Sequence, residues 1–310
     1  MTTPTARSAA LIGAAAAITG LSGCLIVVDG SSSGWDKDKA KHKDGWNGSS
    51  YSNDWSGKAK AKRSWTIGID EGLVASTDAL RVLSEAGDVK LVPTDGPATI
   101  EAYARGPDRE RLDQIEIIVT VDEGVMVVEA AGLELDRSEN WNDGISIDLV
   151  IEIPQRDGVT IDTSAGDVYV AGMAGELGVA SSAGDVEVDG HAGPAAIASS
   201  AGDIDVHDAD GPILAETSAG DISLSHVGWP IEAATSAGDI DVLMLPGFHG
   251  HLHASTTAGS VSLPGSSSRT ALGPMSTASA TIGSPRSDDE EPAECVFVTS
   301  AGDISVSIAD

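Results

Sequence analysis

Thr163-Ser164-Ala165-Gly166-Asp167 returns as Ser181-Ser182-Ala183-Gly184-Asp185, then as Ser199-Ser200-Ala201-Gly202-Asp203. Thr217-Ser218-Ala219-Gly220-Asp221 and Thr235-Ser236-Ala237-Gly238-Asp239 follow, each copy 18 residues after the last. A fixed period of this size predicts stacked coils. Eighteen residues hold two short strands and two turns, whereas a repeat built from a helix pair needs more than about 30. Thr256-Thr257-Ala258-Gly259-Ser260 comes after 21 residues, and Thr299-Ser300-Ala301-Gly302-Asp303 after a further 43. The last interval has room for one degenerate coil with an insertion, and Met275–Ile282 is its candidate remnant.

Reading by column gives the cross-section. Two places after each Gly stands an apolar residue (Val168, Val186, Ile204, Ile222, Ile240, Val261), and two further on another (Val170, Val188, Val206, Leu224, Val242, Leu263). Tyr169, Glu187, Asp205, Ser223, Asp241 and Ser262 lie between them, so the strand alternates inward and outward. A second strand places Leu177, Ala195, Ile213 and Ile231 inward, then Val179, Ile197, Ala215 and Ala233. Successive coils pair in parallel about 4.8 Å apart, and seven or eight of them make a rod roughly 35 Å long. Cys295 and Phe297 fall in the inward columns of that second strand, which makes Cys295 a buried, unreactive thiol.

Working outward, residues 65–160 alternate in shorter runs: Ala79–Leu83, Val89–Val92, Ile115–Val121, Val125–Glu129 and Ile145–Ile153. Pro107–Gln114 reads as a short helix. Ser84-Glu85-Ala86-Gly87-Asp88-Val89 is a degenerate copy of the repeat, so this segment begins the same structure and caps it. The fold expected is all-β: a single-stranded parallel β-solenoid, β-helix or β-roll-like, with coils of about 18 residues behind an irregular β capping module. The solenoid occupies 161–310, with an inserted loop at 264–294.

The chain has 310 residues and a formal charge of −30. Residues 35–63 carry a net +4, and everything from residue 64 onward a net −34. A cationic face for phosphate is missing, so nucleic acid is not the expected partner. Met1–Gly23 has the layout of a secretory signal: Arg7, an apolar run from Ala9 to Leu21, then small residues. Leu21-Ser22-Gly23-Cys24 resembles a bacterial lipobox, which implies cleavage before Cys24 and acylation of its thiol. Several acyl chains, at about 0.8 kcal/mol per buried CH₂, anchor a protein firmly. Residues 24–64 then form a Ser-, Gly-, Asp- and Lys-rich tether, with Trp35, Trp46 and Trp55 in it and Trp65 just after it, about ten residues apart. With Cys24 acylated, Cys295 has no intramolecular disulfide partner.

The Ser-Ala-Gly-Asp-Ile/Val repeats, the strand-rich segment ending Ile151-Glu152-Ile153-Pro154 and the lipobox together resemble the bacterial "putative adhesin" family, related to the head GIN auto-transporter adhesin group. The resemblance covers about residues 75–310. It implies an exported or membrane-tethered β-solenoid and brings no catalytic residues with it. The long Lys/Trp tether and the acidic run Asp288-Asp289-Glu290-Glu291 depart from the family pattern.

Two clusters invite chemistry. Asp167, Asp185, Asp203, Asp221, Asp239 and Asp303 form a column, in which neighbouring carboxylates repel by about 1 kcal/mol in water. Either turn amides offset that repulsion or Ca²⁺ does, since oxygen-rich turns suit a hard cation. Ser260 interrupts the row and the acidic turn comes once per coil, which favours the turn role. His249, His251 and His253 would all face outward if Leu252 and Ala254 point in. Over a straight strand they span about 13 Å, which allows at most weak Zn²⁺ or Cu²⁺ binding at a bend.

Residues 157–268 contain no Lys or Arg, so the base of a β-helix polysaccharide lyase is missing there. Nucleophile-elbow, phosphate-loop and dinucleotide motifs are also missing. The expected function is therefore non-catalytic. It is that of an exported lipoprotein on the cell or outer membrane, with an adhesion, binding or scaffold role toward an envelope glycan or protein. The alternatives are a degenerate β-helix polysaccharide-processing enzyme and a Ca²⁺-stabilised envelope sensor or scaffold. No resident cofactor is expected beyond that Ca²⁺.

Overall fold

The computed structural model describes residues 26–28, 61–131, 144–265, 276–283 and 292–309. The expected signal segment 1–23, Cys24 with its expected acylation, most of the expected tether and the run Asp288–Glu291 lie outside these residues.

In chain order the front part comprises β1 (Ile26–Val28), β2 (Ala61–Gly68), α1 (Glu71–Ala75), β3 (Ala79–Ser84), β4 (Val89–Pro93) and β5 (Thr99–Gly106). It continues through α2 (Arg109–Leu112), β6 (Glu116–Asp122), β7 (Val125–Ala131) and β8 (Ser146–Ile153). The repeats supply β9 (Gly158–Thr163), β10 (Val168–Ala171), β11 (Glu176–Ser181), β12 (Val186–Asp189), β13 (Ala195–Ser199) and β14 (Ile204–His207). After them come β15 (Ile213–Ala219), β16 (Ile222–Val227), β17 (Ile231–Ala237) and β18 (Ile240–Met244). The rear holds β19 (Gly250–Ala258), β20 (Val261–Ser262), β21 (Ser276–Ile282), β22 (Ala293–Ala301) and β23 (Ile304–Ile308).

These strands form two sheets of 12 and 11 strands around one core. The central nine strands of each sheet run parallel, one strand per level, so the body has nine levels. At 4.8 Å per step the stack is about 38 Å long. Antiparallel strands close the ends. β6 lies on β7 and β1 on β6 in one sheet, β5 lies on β8 and β2 on β5 in the other, and β21 covers β19 at the rear. The sheets are mixed, which corrects the expectation of a purely parallel solenoid. The all-β class and the inward columns are as expected. The inward pairs are buried throughout, from Leu149 and Ile151 at the front to Val261 and Leu263 at the rear.

The order of levels does not follow the chain. β3 and β4 sit between β7/β8 and β9/β10, although β7 and β8 come later in sequence. At the rear, β22 and β23 slide between β17/β18 and β19/β20. The last repeat of the chain is thus the eighth level, and the repeat ending at Ser260 is the ninth. Side-chain volume explains this seat. Phe297, fully buried, stands directly opposite Ala233 on one side and Ala254 on the other. Two methyl groups leave the space that one benzyl group fills.

Met275–Ile282 is therefore not a remnant coil. Its strand β21 runs antiparallel to β19, with Ser276 opposite Thr256 and Ile282 opposite Gly250. Two parts of the expected tether also belong to the body. Ile26–Val28 pairs with β6, and Ala61–Ser64 opens β2. Trp65 is a core residue, 3% exposed, with the Arg63 guanidinium 4.6 Å above its ring.

Candidate functional site: the carboxylate ladder and the outer strand faces

The Ser-Ala-Gly-Asp turn shows why these residue types recur. Gly166, Gly184, Gly202, Gly220 and Gly238 take φ between +121° and +150°. A Cβ on Gly202 would stand 2.1 Å from the Gly184 carbonyl oxygen, and every repeat glycine makes the same close approach to the level before it. Glycine alone meets both demands. The Thr or Ser that opens the motif faces inward. From the fifth level on it donates its hydroxyl to the glycine carbonyl of the preceding level, as Thr217 Oγ1 does to Gly202 O at 3.1 Å and Thr299 Oγ1 to Gly238 O at 3.0 Å.

Each Asp backbone N–H then donates to the carboxylate of the preceding level. Asp185 N reaches Asp167 Oδ1 at 2.9 Å, Asp203 N reaches Asp185 Oδ1 at 2.9 Å, and Asp221 N reaches Asp203 Oδ1 at 2.8 Å. Asp239 N donates to Asp221 Oδ1 at 2.8 Å and Asp303 N to Asp239 Oδ1 at 2.7 Å. The chain of bonds extends forward beyond the expected column, from Asp167 N to Asp88 Oδ1 at 3.0 Å and from Asp88 N to Asp148 Oδ1 at 3.3 Å. All six Asp residues singled out in the sequence belong to this ladder. Asp88 enters through the degenerate copy, and Asp148 has no motif that marks it.

Ser260 does not interrupt the row but ends it. Its N–H donates to Asp303 Oδ1 at 2.7 Å, and among the described residues no further turn follows that would need its side chain as an acceptor. The repulsion expected within the column is met by an amide dipole on each carboxylate. At the front, burial pushes the Asp167 carboxyl up, the bond from Asp185 pulls it down, and the Asp185 charge adds to the rise. Asp88 is likewise raised, first by burial, with the charges of Asp148 and Asp167 adding to the rise and Arg105 opposing it.

The histidines are divided. His251 and His253 point outward from β19 with ring centroids 6.5 Å apart. His251 Nδ1 meets Thr281 Oγ1 at 3.1 Å, and His253 Nε2 lies 3.9 Å from Glu294. His249 lies just before the strand, its ring 6.4 Å from that of Trp229. The expected single row of three is thus a pair and an outlier. Among the described residues, no three His, Cys, Asp or Glu side chains are grouped so as to hold a metal ion.

A second group was only half visible in the sequence. Glu187 and Asp205 stand opposite each other on β12 and β14, and Asp189 and His207 form the next outward pair. Burial raises the carboxyls of both Glu187 and Asp205, and in each case His207 opposes the rise. His207 Nδ1 meets Ser225 Oγ at 2.6 Å. Cross-strand pairing brought Asp189 and His207 to this face, and their shared place at the end of the strand repeat was the signal for it. Asp241, also expected here, is two levels from Asp205, with Ser223 between them.

The chain belongs to the Toastrack DUF4097 family, whose model matches residues 110–307. Among solved structures it is similar to a "putative adhesin" from Bacteroides fragilis, at 14% identity and a TM-score of 0.45, covering 81% of this chain and 99% of that one. It is also similar to a "putative cell adhesion protein" from Clostridium sporogenes (12% identity, TM-score 0.39, 80% and 100% covered). A third is described as a "putative lipid binding protein" from Parabacteroides distasonis (11% identity, TM-score 0.40, 80% and 97% covered). The family match stands on residues 110–307, and the head GIN grouping finds no support in it. No curated protein matches the chain.

Proposed function

We propose that this protein is an exported lipoprotein, acylated at Cys24, whose stacked body has a non-catalytic binding or adhesion role at the cell envelope. The observation that carries the reading is the ladder. Its carboxylates accept bonds from backbone amides, so the repeat motif is accounted for as architecture. What remains for a partner is the pair of broad outer sheet faces, on which acidic side chains such as Glu187, Asp205 and Asp241 recur. The adhesin names of similar proteins agree with this reading. Purified protein should bind envelope glycan or protein in pull-downs from envelope fractions, and binding should survive high salt and EDTA. Loss of capture in EDTA would shift the reading to a Ca²⁺-stabilised scaffold.

One observation favours the enzymatic alternative: two half-buried carboxyls with raised pKa, Glu187 and Asp205, face each other beside His207. Turnover of an envelope polysaccharide that disappears in Glu187→Gln would replace the binding role with a catalytic one.

A further inference from the structure

We infer that the front end of the stack is the membrane-facing end, held flush against the lipid surface rather than on a long leash. This rests on the proposed acylation of Cys24. β1 pairs antiparallel with β6, with Ile26 opposite Val119 and Val28 opposite Ile117. Cys24 is two residues from Ile26, and two residues of extended chain span about 7 Å at most. An acyl chain on Cys24 would therefore fix the β1–β6 edge next to the headgroups.

The long Lys- and Trp-containing segment then has a different role. It starts after β1 and ends at β2, and both are edge strands of the front cap. The segment separates one front edge from the other, and it cannot separate the body from the lipid. It is also the part of the mature chain where acids do not prevail: residues 29–60 contain six Lys and five Asp.

Charge points the same way. Every Lys and Arg among the described residues lies between positions 62 and 156, in the front strands and the first two levels or just after them. Levels three to nine have carboxylates and no Lys or Arg. An anionic leaflet repels the rear more strongly than the front, where eight Lys and Arg stand against sixteen Asp and Glu among the described residues of 61–156, so electrostatics and the short leash favour the same orientation.

The test uses the full acylated chain on phosphatidylglycerol-containing vesicles with a headgroup energy-transfer acceptor. A donor dye is placed at Asp122→Cys, beside β1, or at Ser262→Cys, on the last level. Both positions are exposed, while the native Cys295 is buried and stays unlabelled. Transfer should be several-fold stronger from the front label. Twenty Gly/Ser residues inserted after Cys24 should reduce it toward the rear value. Equal transfer from both ends, or no effect of the insertion, overturns the inference. A chain that lacks acyl mass on Cys24 and fails to float with vesicles refutes the anchoring reading itself, and the inference with it. Docking of β1 is read separately by hydrogen exchange in the Cys24→Ser chain. Val27→Pro should deprotect the β6 amides around Ile117–Val119, and unchanged protection means that β1 does not hold this edge.

Discussion

The backbone N–H of Asp303 donates to Oδ1 of Asp239 across 2.7 Å, although 64 residues separate them. In the regular part of the ladder the same bond joins residues 18 apart. The turn thus reads its neighbour in space and not its neighbour in sequence. Asp203→Ala should leave the Asp221 N–H without its acceptor and lower stability by about 1–3 kcal/mol. Asp203→Asn keeps an oxygen at that point and removes a charge from an acidic row, so it should cost less than about 0.5 kcal/mol. Denaturant melts with and without EDTA check both. A Ca²⁺ ladder would make Asn as harmful as Ala, and only in the presence of the ion.

Gly202→Ala should be among the most damaging single changes. It adds a Cβ 2.1 Å from a fixed carbonyl at φ +145°. Neither the backbone nor the preceding level can yield without opening the stack, so we expect a loss of about 3 kcal/mol or more. Gly124, also at positive φ but with nothing within 4 Å of its Cβ, gives the control. Gly124→Ala should show only the cost of its dihedral, about 1 kcal/mol.

Phe297→Ala should cost about 3–5 kcal/mol, because the ring is fully buried between two alanines that cannot close the gap. The effect should be local to the rear. Limited proteolysis should cut within 245–300 well before it cuts the central levels.

His191 is 2% exposed in a turn column with Met173, Ala209 and Val227, and its Nδ1 has no hydrogen-bond partner. Burial lowers its pKa, against bonds to the backbone of Pro194, Met173 and Gly175. The unfolded chain therefore binds a proton near the ordinary value of about 6.5 that the folded chain refuses. Stability contributed here is present above that value and is lost as pH falls through it. Raised carboxyls such as Asp167 and Glu187 have the opposite sign, since their folded forms take up protons more readily on acidification. The informative measurement is thus a difference: the gap in melting temperature between wild type and His191→Met should widen in favour of the variant between pH 7.5 and 5.5.

Burial pushes the Cys295 thiol up to about 11, with a bond to the Ile231 backbone opposing the rise. Its inward seat leaves no route for a reagent. Thiol-specific labelling in native buffer should be negligible over hours and should become complete at the denaturant midpoint, so this residue reports global opening.

Much of this architecture was legible as columns. The alternation Val168-Tyr169-Val170 and its copies correctly placed the core, the outer faces and Cys295. The front strands were legible for the same reason. The order of levels was not, because every level presents the same columns to its neighbours and the pattern is silent about which copy stacks on which. The one sequence signal was volume: Phe297, the largest residue of its column, has to stand beside the column's alanines. β21 was misread because Ser276–Ile282 keeps the inward spacing of a coil, and period two is the same in either strand direction. In the candidate site, the Asp row was visible, but the amides that donate to it from the next level were not. A donor that lies 64 residues away in the chain leaves no mark in local spacing.

The seat of the final repeat also bears on how the molecule comes to completion. The strands at 250–263 rest on 293–308, so they have no floor until residues 293–308 have emerged. A product cut short before residue 293 loses a middle storey and everything above it. Synthesis from the N-terminus therefore leaves the ninth level waiting for a partner that is made after it.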